Sequence, residues 1–338
     1  MNRMPTGVGT GAGSMPGTDP AAAAAIVNGE LDLAHLPVLP ARGIGADLIG
    51  RMAAILVDLP IDSSTWGYRL GAKGSSVTRR ARGFLSADLD AVEEIWDGAG
   101  FLGMSRPFTV TAAGPFTLAA SLELPNGHKV IRDRGAWRDL AASAAEGLGT
   151  LVGDLRRRLG AQVLLQLDEP LVGAVLDGAV TPLTRLDPIA PLPAPEVADV
   201  LASVIAQVGV PAILRGGATP RWELADRLPG VAQSVDVRTS TLPTATFDGI
   251  GRLIERGDVL VAGVLDPARV GAPLDTETLA LRVAAVTDRI GLPRKVLSDN
   301  VIVTPTTGLA DVSAAWATRV LAACAKTGEL LATDPDAL

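Results

Sequence analysis

Short apolar runs recur along the chain, and each is followed by a longer stretch with helical periodicity. The runs are rich in Val, Ile, Leu and Ala and are continuous rather than alternating, which is typical of parallel strands buried on both faces. Eight such runs predict eight strands, at residues 6–10, 36–39, 108–112, 162–167, 210–214, 232–237, 259–265 and 301–303.

The stretches between the runs place apolar residues three or four positions apart, so they predict amphipathic helices. Several begin at a capping residue or a proline and end at a glycine, as Gly160, Gly209, Gly257 and Gly291 illustrate. The predicted helices cover residues 46–57, 89–96, 137–159, 194–207, 222–228, 246–255, 275–289 and 310–325. Eight strand–helix alternations predict an α/β fold, a (β/α)8 TIM barrel formed by residues 1–338 as one domain. An open, doubly wound sheet is the alternative.

A long insertion, residues 58–106, separates the second and third predicted strands. It carries aromatic and basic residues, among them Trp66, Tyr68 and Arg69. If the insertion leaves the carboxyl end of the second strand, it lies over the mouth of the barrel. The alternative is a solvated excursion with a helix of its own.

Composition narrows the possible chemistry. Of the 338 residues, one is a cysteine (Cys324) and two are histidines (His35 and His128), so disulfides, cysteine-cluster metal sites and most histidine-based schemes are excluded. We expect Cys324 to be buried on the last helix and both histidines to lie at the surface or to pack in loops. The net charge of −7 and the lack of a long basic run argue against nucleic acid as a partner.

Other sequence features bear on location. No uncharged apolar span of about 18 residues is present, so we expect no membrane partner. The amino-terminal segment lacks the apolar core of a signal peptide, so we expect a cytoplasmic protein. The partner that we expect is a small-molecule substrate, and the sequence leaves the oligomeric state open.

Functional residues of a TIM barrel lie at the carboxyl ends of its strands. These ends carry acids, arginines and hydroxyls and no histidine or cysteine, a set that suits a zwitterion or an anion. No nucleophile with an activating base is evident. The candidates are Gly13, Ser14, Asp168, Glu169, Arg215, Asp236, Arg238, Asp266 and Thr307, with Arg42, Gly114 and Thr306 beside them.

Two of these strand ends carry more specific patterns. The glycine-rich segment 11–17 predicts a nest of backbone amides that faces a carboxylate or phosphate, followed by a helix capped by Thr18 or Asp19. The alternatives are a simple tight loop and a weak match to a dinucleotide fingerprint. Asp168 and Glu169 end a strand together, so strand alternation points one carboxylate inward and the other outward.

We therefore assign Asp168 and Glu169 as the catalytic candidates. One carboxylate would bind a ligand ammonium or act as a base, and the other would form a salt bridge with a neighbouring strand. The alternative is that both acids pair structurally with Arg215 and Arg238.

Five strings occur in a fixed order: GSMPGTD (13–19), GPFTLA (114–119), LQLDEP (165–170), GVLDP (263–267) and VTPTTGLA (303–310). Together they resemble the catalytic barrel of the cobalamin-independent methionine synthase family, within the uroporphyrinogen-decarboxylase-like barrels. The resemblance implies a (β/α)8 barrel in methionine biosynthesis, related to 5-methyltetrahydropteroyltriglutamate–homocysteine S-methyltransferase. That enzyme moves a methyl group from a folate to a thiol held on zinc by His, Cys, Glu and Cys ligands.

Position by position, the resemblance implies that Gly13 and Ser14 bind the carboxylate end of an amino-acid substrate and that Asp168 contacts its amino group. The zinc ligands have no counterparts. Residues 214–218 replace the His-x-Cys element, residues 236–238 offer no glutamate, and Thr307 replaces the last cysteine. We therefore predict no metal and no cofactor, where the family would use zinc and a methyl-folate.

Three functions remain open, and the sequence does not decide whether the chain is an enzyme. The first is a methyltransferase-family barrel that binds a small amino acid or carboxylate with its zinc site degenerate. The second is a non-catalytic small-molecule-binding barrel. The third is a decarboxylase-type enzyme of the same superfamily, with arginines holding a polycarboxylate.

Overall fold

The structure is a computed structural model that describes residues 4–65, 67–239 and 241–338, so the predicted insertion residue Trp66 lies outside the described residues. The strands of the described residues are β1 (Val8–Gly9), β2 (Ala34–His35), β3 (Ile61–Ser64), β4 (Gly67–Leu70), β5 (Pro107–Ala113), β6 (Gln162–Asp168), β7 (Ala212–Arg215), β8 (Val231–Asp236), β9 (Leu260–Leu265) and β10 (Val301–Pro305).

The α-helices of the described residues lie between these strands along the chain, singly or in pairs, and α12 follows the last strand. They are α1 (Pro20–Glu30), α2 (Met52–Ile55), α3 (Ser76–Gly98), α4 (Pro115–Ser121), α5 (Arg134–Leu159), α6 (Val172–Asp177), α7 (Ala194–Val208), α8 (Trp222–Ala225), α9 (Thr244–Glu255), α10 (Thr276–Ile290), α11 (Val296–Asp299) and α12 (Ala314–Thr333). Within the described ranges, no helix is long and apolar enough to span a bilayer.

Eight parallel strands form one curled sheet in the order β1-β10-β9-β8-β7-β6-β5-β2, with helices on its outside. The two edges of the sheet meet at a parallel bridge between Ser14 and Val38, where Val38 N donates to Gly13 O at 3.0 Å. The predicted α/β, TIM-like fold is therefore confirmed. Because all eight strands run the same way, their carboxyl ends lie at one mouth.

The lower interior of the barrel is aliphatic. Six buried side chains form a separate apolar cluster there, five from different strands and one, Leu33, from the residue before β2: Leu33, Leu164, Ile213, Ala232, Val261 and Ile302. Side chains alternate between the two faces of a strand, so residues two and four positions further along also point inward. This alternation carries Asp168, Arg215 and Asp236 to the mouth.

The second strand differs from its prediction. Residues 36–39 were expected to form it, but β2 is Ala34–His35. Leu36 N still donates to Thr109 O at 2.9 Å, and the chain then turns away, because Pro37 lacks the N–H that a continuing ladder needs. The segment that follows bridges through Val38 to Ser14, in the loop after β1, instead of continuing along β5.

The helix expected over residues 46–57 is also shorter than predicted. Only α2 is α-helical there, and turns precede it. Asp47 accepts hydrogen bonds from the backbone N–H groups of Ile49 and Gly50, a local arrangement that competes with helix. In contrast, the cap predicted at Asp19 is confirmed, because its carboxylate accepts from the N–H groups of Ala21 and Ala22.

The insertion contains the β3–β4 hairpin and α3, which is the barrel helix of that βα unit. The hairpin reaches the segment that follows β2: the Tyr68 hydroxyl donates to Asp47 and accepts from Gly45 N at 2.9 Å. Leu48, in the same segment, lines the barrel mouth. The hairpin therefore supports one wall of the mouth, and α3 contains the barrel helix that was predicted over residues 89–96.

Candidate functional site

A cavity of about 480 Å³ opens at the carboxyl ends of the strands. Its wall combines strand-end side chains with the segment after β2, which contributes Val38, Pro40 and Leu48. Most of the predicted substrate-binding residues line it, namely Ser14, Asp168, Arg215, Asp236, Arg238, Asp266 and Thr307. Their common position follows from the parallel sheet, which gathers all strand ends at one place.

Asp168 ends β6 and points into this cavity. Its Oδ1 accepts a hydrogen bond from Gln166 Nε2 at 2.9 Å, and no lysine or arginine among the described residues lies within ion-pair distance of it. Burial raises the pKa of the Asp168 carboxyl to about 6, although the charge of Arg215 acts in the opposite direction. The carboxylate is therefore available to a cationic group.

Arg215 ends β7, directly beside Asp168 in the sheet register. Its guanidinium donates to the carbonyl of Thr306, at the end of β10 on the other side of the mouth. Burial lowers the pKa of Arg215, and the carboxylate of Asp168 partly offsets that effect. A guanidinium anchored on a carbonyl keeps its positive charge. Asp168 and Arg215 therefore lie in one cavity without forming an ion pair with each other.

The second arginine of the mouth is fully engaged. Arg238 Nη2 donates to Asp236 at 2.7 Å, and its Nη1 donates to Asp266 at 2.8 Å. Hydrogen bonds to Asp236 raise the pKa of Arg238. Two carboxylates thus surround one guanidinium, and the cavity as a whole carries three aspartates against two arginines.

Ser14 sits where the two edges of the sheet meet. Gly308 leaves room for its hydroxyl, because a Cβ at Gly308 would collide with Ser14 Oγ. Leu309 N donates to Ser14 O at 3.0 Å, which ties the loop after β10 to this point. Gly13 adopts a φ of +102°, a left-handed conformation that favours glycine, and a Cβ there would collide with Thr111. The predicted substrate-binding residue Gly13 is not among the residues that line the cavity.

Glu169, a predicted catalytic residue, lies outside the cavity. It is fully buried, and its carboxylate accepts from Phe116 N at 2.9 Å, Thr117 N at 2.6 Å and Thr117 Oγ1 at 2.7 Å. Burial raises the pKa of Glu169 to about 7, against these hydrogen bonds. Asp168 points inward and Glu169 outward, as strand alternation predicted, but Glu169 binds the start of α4 instead of forming a salt bridge with a strand.

Two other strand-end candidates serve the surrounding structure. Gly114 makes space for the Glu169 carboxylate, which a Cβ at this position would strike. Arg42 forms a buried ion pair with Asp88 of α3 at 2.8 Å, behind the wall of the mouth. The structural alternative for the acids, pairing with Arg215 and Arg238, is not what the geometry shows for either Asp168 or Glu169.

The cavity also contains residues that sequence reasoning missed. Thr111 of β5 contributes a buried hydroxyl that has no hydrogen-bond partner among the described residues. Alternation alone would have found it, because Thr111 lies two residues before the end of β5. Leu48 and Gly308 gave no such signal, since they come from loops whose path the sequence does not define.

Histidine and cysteine are absent from the lining of this cavity. His35 is buried in β2, so its predicted surface or loop position is wrong, and burial lowers its pKa to about 4. Cys324 is buried on α12 as predicted, where burial raises the pKa of the thiol. Within the described parts of the chain, no three His, Cys, Asp or Glu side chains are grouped so that they could hold a metal ion.

Comparison with known proteins gives a structural match and no sequence match. No family model matches the sequence, and no curated protein matches it. Among solved structures, the chain is similar to a B12-independent methionine synthase from Shewanella sp. W3-18-1, solved in complex with selenomethionine. The TM-score is 0.61 at 13% identity, and the alignment covers 98% of this chain and 100% of that chain.

A GH138 enzyme targeting pectin rhamnogalacturonan II also matches, with a TM-score of 0.33 at 12% identity. That alignment covers 72% of this chain and 35% of the enzyme, and a TM-score this low does not indicate a shared fold. The methionine synthase match supports a shared barrel fold over the whole chain. At 13% identity it does not extend to the activity.

Proposed function

We propose that the chain is a barrel of the methionine-synthase-like type that binds a small zwitterionic amino acid at its mouth without using zinc. The observation that supports this proposal is the hydrogen bonding of Asp168 and Arg215. They stand side by side on adjacent strands, and each is hydrogen-bonded to a neutral group rather than to the other. A zwitterion brings one positive and one negative group to such a pair.

The ammonium group of the ligand would bind Asp168. A charge-assisted hydrogen bond of this kind in a shielded cleft contributes roughly 1.5 to 3 kcal/mol. The pKa of about 6 leaves the carboxylate ionised at neutral pH, and an ammonium beside it would hold it so. Asp236 and Asp266 are weaker candidates for this role because both already share Arg238.

The carboxylate of the ligand would bind Arg215 and the hydroxyls of Ser14 and Thr307, which line the same cavity. The hydrogen bond from Arg215 to the carbonyl of Thr306 brings its guanidinium next to Thr307. The resemblance to methionine synthase assigns the same end of an amino acid to Gly13 and Ser14. The neighbour of known structure was solved with selenomethionine, so we propose methionine and its analogues as the first ligands to test.

The residues at the mouth do not fit the zinc centre of that enzyme family. The segment 214–218 and Thr307 occupy the positions that would hold the imidazole and thiolate ligands, and residues 236–238 offer no glutamate at the position of the fourth ligand. Zinc sites are built from thiolate, imidazole and carboxylate ligands, and a guanidinium among them would repel the ion. We therefore propose that no zinc-activated thiol takes part and derive no step through the metal.

Calorimetric titration with L-methionine and L-selenomethionine tests the proposal, using the intact chain. We expect 1:1 binding that is lost with N-acetyl-L-methionine, which has no ammonium, and with methionine amide, which has no carboxylate. Equal binding of a blocked analogue would contradict the zwitterion model.

The decarboxylase-type alternative makes the opposite prediction for a polycarboxylate. Citrate or a larger polycarboxylate would need free arginines, whereas Arg238 is surrounded by Asp236 and Asp266. Tight binding of such an anion, with none of the amino acid, would favour that alternative over ours.

Gly308→Ala gives a structural control for the location of the site. The added methyl group would displace the Ser14 hydroxyl while leaving Asp168 and Arg215 in place. We expect weaker amino-acid binding with little change in folding. Unchanged binding would place the ligand away from Ser14.

A further inference from the structure

The interior of the barrel changes character halfway along its strands. TIM barrels usually fill this space with Val, Ile and Leu, and the lower cluster around Leu164 and Ile302 does so. The next interior positions are polar. We call them the interior polar layer, and its members are Thr10, His35, Thr109, Gln166, Ser234 and Thr304, each no more than 6% exposed.

The layer lies directly beneath the mouth cavity. Thr109, Gln166 and Ser234 each precede a cavity-lining residue of the same strand by two positions, and residues two apart share one face of a strand. The contact is continuous, because Gln166 Nε2 donates to Asp168 at 2.9 Å and to Ala12 O at 3.3 Å. The layer therefore forms the floor of the cavity.

Several groups of this layer have no hydrogen-bond partner among the described residues. They are both ring nitrogens of His35 and the hydroxyls of Thr109 and Thr304, and the hydroxyl of Thr111 just above them adds one more. Thr10 is different, since its hydroxyl donates to Leu33 O at 2.9 Å. The unpartnered groups come from β10 on one side of β1 and from β2 and β5 on its other side, so they occupy neighbouring positions of the barrel interior.

Buried polar groups almost always have a protein or water partner, and each one without a partner costs about 1 to 3 kcal/mol. Five such atoms in one place would cost a large share of the stability of an ordinary domain. Four of the six members of the layer are Thr or Ser, which are smaller than the Leu and Ile of the cluster below, so less side-chain volume fills this level of the interior. A polar space with several donors and acceptors is where buried water binds.

We propose that the interior polar layer binds a cluster of ordered water molecules that extends from His35 to Thr111 and so continues the mouth cavity into the barrel. Each threonine hydroxyl can donate one hydrogen bond and accept others. The ring of His35 is neutral at physiological pH and offers one donor and one acceptor. The cluster is independent of the ligand that we propose for the mouth.

Isosteric valine substitutions test the proposal, because they remove a hydroxyl without changing the volume. If water molecules bind Thr109 and Thr304, Thr109→Val and Thr304→Val each lower the folding equilibrium constant, by about fivefold or more. If the layer is dry, each variant removes an unpaired polar group and raises that constant, which would overturn the proposal. Thr10→Val is the matched control, since its protein partner makes a loss certain in either case.

The double variant Thr109→Val/Thr304→Val tests whether the waters form one cluster. Shared waters make the two losses non-additive, because the first substitution already disrupts the waters that serve the second position. Strictly additive losses would overturn the single cluster. Water–protein nuclear Overhauser effects on the threonine methyl groups of the unmodified chain supply a direct readout. We expect long-lived water there, and its absence would contradict the proposal.

Discussion

Asp168 and Arg215 are register partners on adjacent strands, yet their charged groups bind elsewhere. The Asp168 carboxylate accepts from Gln166, and the Arg215 guanidinium reaches across the mouth to the carbonyl of Thr306. An ion pair between them would have left neither charge available to a ligand. Their separation leaves an acid whose pKa of about 6 lies just below neutral pH, and this position makes ligand binding sensitive to pH.

Substitution of Asp168 should remove the ammonium-binding group and the pH dependence together. Binding of an amino acid requires the ionised carboxylate, so the Kd of the unmodified protein should rise about tenfold between pH 7 and pH 5. Asp168→Asn should weaken binding at pH 7 by roughly 1.5 to 3 kcal/mol and flatten the profile. Titration calorimetry at several pH values measures both effects.

The control for this variant is Asp177→Asn. Asp177 is exposed, forms its ion pair with Arg221, and lies outside the cavity. It should leave both the affinity and its pH profile unchanged. A profile that persists in Asp168→Asn would assign the titration to another group and contradict the role of Asp168.

Arg215 should also affect the pH dependence of ligand binding, through its effect on the pKa of Asp168. Its positive charge lowers the pKa of Asp168, so Arg215→Met should raise that pKa above about 6. The pH at which binding is half lost should move upward, and affinity at pH 7 should fall. Arg215→Lys keeps the charge and should restore part of the wild-type profile. A profile that moves downward, or one that does not move, would contradict this electrostatic coupling.

The sequence predicted the strand-end residues that line the mouth better than the loop residues that complete its wall. Seven strand-end candidates line one cavity because parallel strands place their carboxyl ends together, and this rule needs only the strand order. Thr111 was accessible to the same reasoning. Leu48 was not, because its position depends on a hydrogen bond between Tyr68 and Asp47, which are 21 residues apart.

Glu169 illustrates a second limit of sequence reasoning. Strand alternation correctly placed Glu169 and Asp168 on opposite faces of the sheet. It could not reveal that the backbone N–H groups of Phe116 and Thr117 donate hydrogen bonds to the Glu169 carboxylate. The pairing depends on a long-range packing of β6 against the start of α4. Residue type and strand position alone made Glu169 look like a catalytic acid.

We expect Glu169→Gln to reduce stability more than ligand binding. The amide would place a donor where the carboxylate accepts from Thr117, which should cost about 1 to 3 kcal/mol in the free energy of unfolding. Denaturant unfolding measures this loss. A loss of ligand affinity as large as that of Asp168→Asn, at unchanged stability, would instead support a direct role in the site.

The same variant should alter the pH dependence of stability. The folded-state pKa of Glu169, about 7, lies above the value of 4.5 that is usual for an exposed glutamate. Its protonated form therefore favours the folded state, and the contribution is fully present below about pH 4.5 and is lost as the pH rises through 7. The stability difference between the unmodified protein and Glu169→Gln should shrink over this range. A difference that grows with pH would contradict the raised pKa.

We propose that the chain unfolds as one unit, in line with the single domain expected from the sequence. The sheet is completed only when β1 pairs with β10 and the Ser14–Val38 bridge joins the two edges, so neither half contains a finished core. Thermal and denaturant unfolding followed by circular dichroism and tryptophan fluorescence should coincide. Two separated transitions would contradict a single domain.

The β3–β4 hairpin should control the mouth through Tyr68. Its hydroxyl joins Asp47 and the backbone N–H of Gly45, and the same segment carries Leu48 into the cavity wall. Tyr68→Phe keeps the ring and removes both hydrogen bonds, so it should lower the free energy of unfolding by about 1 to 3 kcal/mol and loosen that wall. We expect amino-acid affinity to fall with a faster dissociation rate, measured by stopped-flow fluorescence, while the pH profile set by Asp168 stays in place. Asp47→Asn, which keeps an acceptor for the Tyr68 hydroxyl, should have a smaller effect. If Tyr68→Phe lowers stability without changing the dissociation rate, the hairpin supports the fold and has no influence on the ligand.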